Sequence, residues 1–241
     1  MAIEGAYLRL LTQAIARRRE TRPALRGLFL AYPDLLLPKA ALAAMVGDEL
    51  LAKVPTRDDA AAIWKYHGLA GVTDPMFDSV GLFRALGVEP TVIDVARLRG
   101  MERIVDLNQP LPEDLVQAFD LVVDTGTCEH CFNVGQAFAN ACNALDVGGV
   151  LVHAAPVTRI NHGFWSFNPT VYPDFFEDNG FRLQLLVGVE GSLSQGFRTF
   201  KIEPFSRAQL PPEAGVYVIA ERAEVRPLRW PVQRKYRGMI Q

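Results

Sequence analysis

The spacing of apolar residues separates a helical N-terminal part of the chain from a part that alternates strands with helices. Between residues 4 and 20 apolar side chains recur at helical intervals, and Pro23 ends the predicted helix. Leu28–Tyr32 then forms a short apolar run, which indicates a buried strand. The apolar patterns that follow are helical and predict helices at residues 39–54, 58–69 and 78–86.

From Thr91 onward the apolar residues fall in short runs, which are typical of strands. The predicted strands cover residues 91–95, 103–106, 121–124, 150–153, 182–189 and 216–220, and a predicted helix covers 136–145. Continuous apolar strands separated by helices are what a parallel sheet buried on both faces requires. The pattern therefore predicts an α/β fold with a mostly parallel sheet.

The chain between the first two predicted strands is longer than one crossover connection requires. Strands 28–32 and 91–95 are about 58 residues apart, whereas a crossover with one helix needs roughly a dozen or more. We therefore expect residues 38–87 to be a helical insertion within a single domain that spans 1–241. Such an insertion would form a lid over a binding site or a homodimer contact.

Composition and charge are those of an ordinary globular protein. The 241 residues are 49% hydrophobic and 22% charged, which is enough apolar material for a sizeable core. The net charge of −2 argues against nucleic acid and anionic membranes as partners. No apolar run is long enough for a membrane span, and the N-terminus lacks the pattern of a signal peptide. An odd number of cysteines in one short region favours a reducing cytoplasm over a disulfide framework; they are Cys128, Cys131 and Cys142.

The most informative motif spans two consecutive predicted strands. It reads FDLVVDTG at residues 119–126, CEH at 128–130 and GGVLVH at 148–153. An apolar strand thus ends in an acid and a glycine-bearing loop, and a Gly-Gly turn begins the next strand. Ligands of open parallel sheets bind where such strands end. The motif resembles the fourth and fifth strands of class I S-adenosylmethionine-dependent methyltransferases, and the likeness extends from about residue 90 to 220.

This resemblance implies a Rossmann-like fold with a seven-stranded, mostly parallel sheet, in which the predicted strands 182–189 and 216–220 would form an antiparallel edge. It also implies S-adenosylmethionine as the cofactor and methyl transfer to an oxygen or nitrogen of a small polar acceptor. Asp94 falls where the family places an acid that binds the ribose hydroxyls, and a carboxylate can accept both of them. Asp106 falls at the family's adenine contact, and Asp124 ends the strand that flanks the transferable methyl group. With their neighbours, the residues that the resemblance places at the cofactor are Asp94, Val95, Asp106, Leu107, Asn108, Asp124, Thr125 and Gly126.

The first loop departs from the family, whose loop usually reads GxGxG because glycines let backbone amides approach the cofactor. Here the corresponding residues are Leu30–Asp34, and Pro33 has a fixed φ and no amide hydrogen. One alternative is that Ala31, Tyr32 and Asp34 hold the cofactor differently, with Asp34 at its ammonium group. The other is a catalytically silent relative that serves as a binding or scaffolding subunit. A nucleotide-sugar or NAD enzyme is less favoured, because no GxGxxG follows a predicted strand.

The segment after the fifth predicted strand usually builds the acceptor pocket in this family, and here it reads NHGFWSFNPT at residues 161–170. A histidine is suited to taking a proton from an acceptor hydroxyl or amine. His162 is therefore the predicted base, and His130 of the family's Glu-His pair is the alternative. The residues predicted to contact the acceptor are Glu129, Asn161, Phe164, Trp165 and Ser166, with Phe167 beside them. Helical spacing instead predicts core positions for Tyr172, Phe175 and Phe176.

The cysteines and histidines raise two metal-site hypotheses. Cys128 and Cys131 have the spacing of half a zinc site, but structural zinc takes four closed ligands and the partner pair is missing. A second hypothesis rests on the Glu129-His130 pair, which resembles that of metal-assisted methyltransferases that act on RNA ends. Those enzymes carry a further Glu where this chain has Gly126. The ligands of this second site would be Glu129, His130, His153 and His162. The sequence favours neither hypothesis, and we expect no metal.

Overall fold

The computed structural model describes residues 2–193 and 196–239. Its strands are β1 (Ala2–Ile3), β2 (Leu25–Leu30), β3 (Asp34–Leu35), β4 (Val88–Asp94), β5 (Arg103–Ile104), β6 (Phe119–Asp124), β7 (Leu145–Pro156), β8 (Phe181–Ser192), β9 (Gly196–Lys201) and β10 (Gly215–Arg222). Its α-helices are α1 (Gly5–Arg19), α2 (Lys39–Val46), α3 (Asp48–Leu51), α4 (Ala60–Tyr66), α5 (Ser79–Ala85), α6 (Val134–Asn143) and α7 (Val171–Asp178). Short 3-10 helices cover Glu113–Leu115, Cys128–His130 and Arg234–Met239. Among these described residues, no helix is long and apolar enough to cross a membrane.

Eight strands form one sheet in the order β5-β4-β2-β6-β7-β10-β8-β9. The strands from β5 to β7 pair in parallel, and β10 runs antiparallel between β7 and β8. The predicted α/β class, with a mostly parallel Rossmann-like sheet and an antiparallel edge, is confirmed. β9 adds an eighth strand by pairing with β8, and its two phenylalanines give no strand pattern in the sequence.

The strand order reverses between β2 and β6. From β2 the chain continues outward through β4 to β5, whereas β6 and β7 continue on the other side of β2. In open α/β sheets, ligands bind in the crevice outside the carboxyl ends of the strands at such a switch point. The crevice here lies between Leu30, which ends β2, and Asp124, which ends β6.

Both faces of the sheet are buried, each by its own hydrophobic cluster. Successive side chains of a strand point to opposite faces and so contribute to different clusters. In β6, Leu121 and Val123 belong to the hydrophobic cluster that includes α1 and α5. Val122 belongs to the cluster on the other face, which includes α6 and α7. Three aromatic residues of α7 are buried in that second cluster, which confirms their predicted core positions: Tyr172, Phe175 and Phe176.

The helical insertion is shorter than the sequence predicts. α5 packs in the core, where the ring centroid of Phe83 lies 4.6 Å from that of Phe29 in β2. α5 is therefore the crossover helix itself, and the additional material is α2, α3 and α4 with their loops. The single helix predicted over 39–54 is divided at Gly47, whose φ of +86° ends α2.

A buried carboxylate ties α1 to the sheet. Asp120 lies in β6, and its Oδ2 accepts a hydrogen bond from the backbone N of Arg26 at 2.9 Å. Its Oδ1 accepts hydrogen bonds from Arg18 Nη2 at 3.1 Å and from Arg22 Nη1. Burial alone would raise the pKa of Asp120, but these donors hold it below the ordinary value.

Replacing Asp120 with Asn should lower the free energy of unfolding by roughly 2–4 kcal/mol near neutral pH, because two guanidinium groups lose their buried partner. A carboxyl whose folded-state pKa is lowered stabilises the fold above its unfolded pKa of about 3.9. That contribution is lost as the pH falls through the folded-state pKa. Urea unfolding should therefore show the difference between wild type and D120N shrinking below about pH 4. A constant difference, or an equal effect of Glu113→Gln at an exposed acid, would contradict this role.

Candidate functional site

Two cavities lie side by side at the carboxyl edge of the parallel strands. The first, of about 610 Å³, lies at the ends of β2 and β4 and includes Ala31 and Asp94 in its wall; we call it the β4 cavity. The second, of about 630 Å³, includes Glu129 and His162 and is called the His162 cavity. Tyr66, at the end of α4, and His130 line both cavities. Molecules bound in the two cavities would therefore meet at these side chains.

The β4 cavity gathers most of the residues predicted at the cofactor. Those in its wall are Ala31, Tyr32, Asp34, Asp94, Val95, Leu107 and Asn108. Asp94 ends β4 and is half-buried, and its Oδ1 accepts a hydrogen bond from Ala96 N at 3.3 Å. The buried side chains of Ile93 and Leu107 make an apolar part of the wall. The cavity thus combines a carboxylate at a strand end with an apolar surface.

The loop after β2 has a backbone amide that is already used. Ala31 has a φ of +68°, in the region that favours glycine, and its N donates to the carbonyl of Ile93 at 2.8 Å. The carbonyl of Leu30 accepts a hydrogen bond from Thr127 Oγ1 at 2.6 Å. Hydrogen bonds to β4 and to the loop after β6 therefore occupy backbone groups that a GxGxG loop leaves free to bind the cofactor. Ala31 therefore gives the cavity its shape and no amide donor.

The contacts of Asp34 differ from the predicted contact with an ammonium group. Its buried carboxylate is bonded to His67 Nε2 at 3.0 Å and to Arg99 Nη2 at 3.2 Å. Burial would raise the pKa of Asp34, but His67 and Arg99 lower it. The sequence does not predict either partner of Asp34, because His67 and Arg99 lie 33 and 65 positions away and share no local pattern with it.

Asp124 is fully buried and lines neither cavity, contrary to the predicted cofactor contact. Its Oδ1 accepts hydrogen bonds from Gly126 N at 3.1 Å and Thr127 N at 2.6 Å, and its Oδ2 is 2.8 Å from His153 Nδ1. Burial would raise the pKa of Asp124, but His153, with smaller contributions from Cys128 and the backbone N of Thr127, holds it below the ordinary value. Asp124 therefore shapes the loop that carries Thr125 and Gly126, and both of those residues line the His162 cavity.

Asp106 is exposed and lies outside the wall of the β4 cavity, also contrary to prediction. Its Oδ1 accepts hydrogen bonds from the backbone N of Asn108 at 2.9 Å and from Asn108 Nδ2 at 2.7 Å, which lower the pKa of Asp106. Asn108 Oδ1 in turn accepts from the backbone N of Asn133, before α6, at 2.8 Å. Asp106 thus holds Asn108 in the cavity wall and does not reach the cavity itself.

Two glycines let the chain close around Glu129. Gly126 has a φ of +100°, and a Cβ there would lie 2.7 Å from Glu129 Oε1. A Cβ on Gly163 would lie 2.9 Å from the carbonyl oxygen of Glu129. The same carbonyl accepts a hydrogen bond from Phe164 N at 2.9 Å. The loop that carries His162 is therefore fixed against Glu129.

Polar side chains of the His162 cavity converge on this glutamate. The side chain of Glu129 is 1% exposed, and its Oε1 lies 3.5 Å from His162 Nε2. Neither Glu129 Oε2 nor Thr125 Oγ1 has a hydrogen-bond partner in the described part of the chain. The imidazole ring of His130 lies 5.4 Å from that of His162, and both residues are exposed. Buried polar atoms without a partner are rare, so these atoms indicate a ligand or solvent in the cavity.

The other residues predicted to contact an acceptor do not line either cavity. They are Asn161, Phe164, Trp165 and Ser166. Trp165 is exposed, and its Nε1 donates to the carbonyl of Phe132 at 3.1 Å. Phe167 is buried in the aromatic core instead, because its backbone N pairs with the carbonyl of Pro156 and draws the chain inward.

The start of α1 and β10 bring further polar residues to the His162 cavity that the sequence did not reveal. Glu4 accepts hydrogen bonds from Tyr7 N at 2.7 Å and from the hydroxyl of Tyr217 at 2.6 Å. The hydroxyl of Tyr7 donates to the carbonyl of Val152 at 2.7 Å. Glu4 and Tyr217 are 213 positions apart, so only the folded sheet joins them. The one local signal is an acid before a helical pattern, which predicts a cap and no cavity.

Comparisons with known proteins find a distant likeness in fold. No protein-family model matches the chain, and no curated protein matches its sequence. The solved N-methyltransferase NodS from Bradyrhizobium japonicum WM9 is similar at 16% identity and a TM-score of 0.44, over 91% of this chain and 98% of that chain. TehB from Haemophilus influenzae is similar at 9% identity and a TM-score of 0.40, over 87% of this chain and 62% of that chain. The branched-chain polyamine synthase from Thermus thermophilus is similar at 14% identity and a TM-score of 0.36, over 90% of this chain and 57% of that chain. Likenesses this distant carry no argument about activity.

Proposed function

We propose that this chain transfers a methyl group from S-adenosylmethionine to an oxygen or nitrogen of a small polar acceptor. The observation that carries the proposal is the pair of cavities at the switch-point edge of the sheet, which meet at Tyr66 and His130. Group transfer needs two ligands side by side, and positioning supplies much of its rate. Both cavities have the volume of ordinary small-molecule sites, about 300–1,000 Å³.

The donor set of the β4 cavity fits a cofactor that carries a nucleoside. Asp94 can accept both hydroxyls of a ribose, and Ile93 and Leu107 offer an apolar surface to a base. Asn108, held by Asp106, presents a polar group at the same wall. When bound, the cofactor supplies a methyl group that its sulfonium has activated.

In the His162 cavity, we propose that His162 is the base that takes the proton from the acceptor. Its Nε2 faces Glu129 Oε1 at 3.5 Å, so a buried carboxylate orients the imidazole, as nucleophile and base sites commonly require. His130 stands beside it at the boundary of the two cavities and is the alternative base.

Calorimetric titration with S-adenosylhomocysteine tests the proposal. The wild-type chain should bind one equivalent, and Asp94→Ala should weaken binding by about 1.5–3 kcal/mol, the scale of a hydrogen bond to a charged group. Glu113→Ala, at an exposed acid outside both cavities, is the matched control and should bind like wild type. No heat and no thermal shift with millimolar ligand would reject the proposal and favour a silent binding subunit.

We also propose that α2, α3 and α4 form a lid. Ala62 and Ile63 of α4 line the β4 cavity, and Tyr66, which is 82% exposed, lines both cavities. Tyr66→Ala should therefore weaken S-adenosylhomocysteine binding by about 1–2 kcal/mol with no loss of stability, because ligand would bury the ring. Titration compares it with Tyr236→Ala, which removes an exposed tyrosine outside both cavities. Unchanged affinity in Tyr66→Ala would leave a homodimer contact, measured by sedimentation, as the role of this segment.

A further inference from the structure

The His162 cavity contains a set of side chains that suits a second kind of ligand. One ligand atom each from Glu129, His130 and His162 lies within 4.8 Å of the others. Glu129 Oε2 is shielded from solvent and has no hydrogen-bond partner within residues 2–193 and 196–239, although the carboxylate is part of the cavity wall. We propose that these three side chains bind one divalent transition-metal ion, with Zn²⁺ as the best-fitting case.

The distances are close to those of a metal site. Zinc lies about 2.0–2.2 Å from histidine nitrogens and carboxylate oxygens, so two ligands of a tetrahedral ion are about 3.3 Å apart. Glu129 Oε1 and His162 Nε2 are 3.5 Å apart and already have this separation. The ligand atom of His130 would have to come up to about 1.5 Å closer to each of the other two ligand atoms, and its ring is exposed.

The backbone around Glu129 fixes its carboxylate in place. Gly126 and Gly163 allow the chain to wrap tightly around Glu129, and Phe164 N bonds to its carbonyl. Glu129 precedes His130 within one 3-10 helix, and the wrapped loop brings His162 to them. An ionised carboxylate is costly to bury unless a cation or a hydrogen-bond donor meets it. A metal ion bound by both carboxylate oxygens would give Oε2 its partner and would organise the two imidazoles at the same time.

The ligand types select the class of ion. Imidazole suits Zn²⁺, Co²⁺ and Fe²⁺, whereas Mg²⁺ and Ca²⁺ prefer oxygen ligands. Three protein ligands also leave one position of a tetrahedral ion open, as in catalytic zinc sites. Resting on the proposed function, we place the acceptor's oxygen or nitrogen in that open position, where the ion would hold and polarise it. In that state His162 is a ligand to the ion and no longer a free base, so the ion would lower the pKa of the bound acceptor and the acceptor's proton would leave to solvent.

A second cluster, in the core, carries no such inference. Asp124, Cys128 and His153 also have ligand atoms close together, but all three are fully buried. His153 is bonded to Asp124 through Nδ1 and to the hydroxyl of Tyr172 through Nε2, at 2.8 and 3.0 Å. Cys128 is a free cysteine, and its burial beside Asp124 raises the pKa of its thiol well above the ordinary value, which disfavours a thiolate ligand.

Metal titration of the tag-free, chelator-treated full chain tests the proposal. Calorimetry with ZnCl₂ should give one equivalent, and CoCl₂ should give a visible spectrum of nitrogen and oxygen ligands with no thiolate charge-transfer band. Glu129→Gln and His162→Ala should each lower the affinity by more than about 100-fold, because even residues behind the direct ligands are worth about 10–100-fold. His67→Gln is the matched control and should retain full affinity, because His67 pairs with Asp34 instead.

Three results would overturn the proposal. They are the absence of Zn²⁺ and Co²⁺ binding by wild type, affinities that neither Glu129→Gln nor His162→Ala changes, and a thiolate band that Cys131→Ser removes. Circular dichroism of each variant, with thermal unfolding, ensures that a loss of binding is not a loss of fold. Titration of the same samples with S-adenosylhomocysteine separates the two proposals. Metal binding without cofactor binding would reject the methyltransferase proposal alone, and cofactor binding without metal binding would reject the metal site alone.

Discussion

Asp124→Ala should lower the free energy of unfolding by about 3–5 kcal/mol, the usual cost of removing one partner from a buried pair. The carboxylate of Asp124 accepts hydrogen bonds from Gly126 N and Thr127 N, and its other oxygen is 2.8 Å from His153 Nδ1. All three groups would lose this partner inside the core. The loss would reach further, because His153 Nε2 is bonded to the hydroxyl of Tyr172. Urea unfolding followed by circular dichroism measures the change.

Two variants calibrate this result. Tyr172→Phe removes only the hydroxyl at the far end of the network and should cost about 1 kcal/mol, the net value of an ordinary hydrogen bond. Asp124→Asn keeps an oxygen for the two backbone amides and removes the charge, so it should fall between the other two. Equal stability of Asp124→Ala and wild type would show that the network does not stabilise the core, and would reopen a ligand role for Asp124.

The central strands could be predicted because they are continuous apolar runs that the sheet buries on both faces. The ends of strands were less predictable where the pairing between strands depends on backbone hydrogen bonds and not on apolar side chains. β7 begins at Leu145, five residues before its apolar run, and pairs with β6 across a register shift through a segment that contains Gly148 and Gly149. β9 forms because β8 offers it an edge, and an edge is a property of the folded sheet. Neither feature has a hydrophobic period for a sequence pattern to detect.

The site was predictable where it depends on strand ends and unpredictable where it depends on side-chain direction or distant partners. Asp94 lies at a cavity wall because parallel strands end at one edge of the sheet. Asp124 ends β6, on the other side of β2, but its side chain points into the core, on the same face as Val122 two residues earlier. Strand alternation places Asp124 and Val122 on one face, but both faces of β6 are apolar, so the sequence does not tell whether that face leads to a cavity. The pairing of Asp34 with Arg99 did not follow from any local pattern.

His162→Ala should leave the affinity for S-adenosylhomocysteine nearly unchanged and lower turnover by roughly 10²–10⁴-fold, the usual range for losing a general base. The affinity should be preserved because His162 lines only the His162 cavity and not the neighbouring β4 cavity, which is assigned to the cofactor. Turnover is measured as S-adenosylhomocysteine released with an acceptor found by screening hydroxyl and amine compounds. His130→Ala is the comparison variant. Normal turnover in His162→Ala with a loss in His130→Ala would transfer the role to His130.

A chelator distinguishes the two ways in which His162 can act. If His162 is a free base oriented by Glu129, chelator treatment of the wild type should leave turnover unchanged. If His162 is a metal ligand, chelator should reproduce the loss seen in His162→Ala, and added Zn²⁺ should restore the wild type but not the variant. Glu129→Gln should then behave like His162→Ala, because both would remove a ligand from the same ion. Full turnover in both histidine variants would mean that the chain accelerates transfer by positioning its two ligands alone.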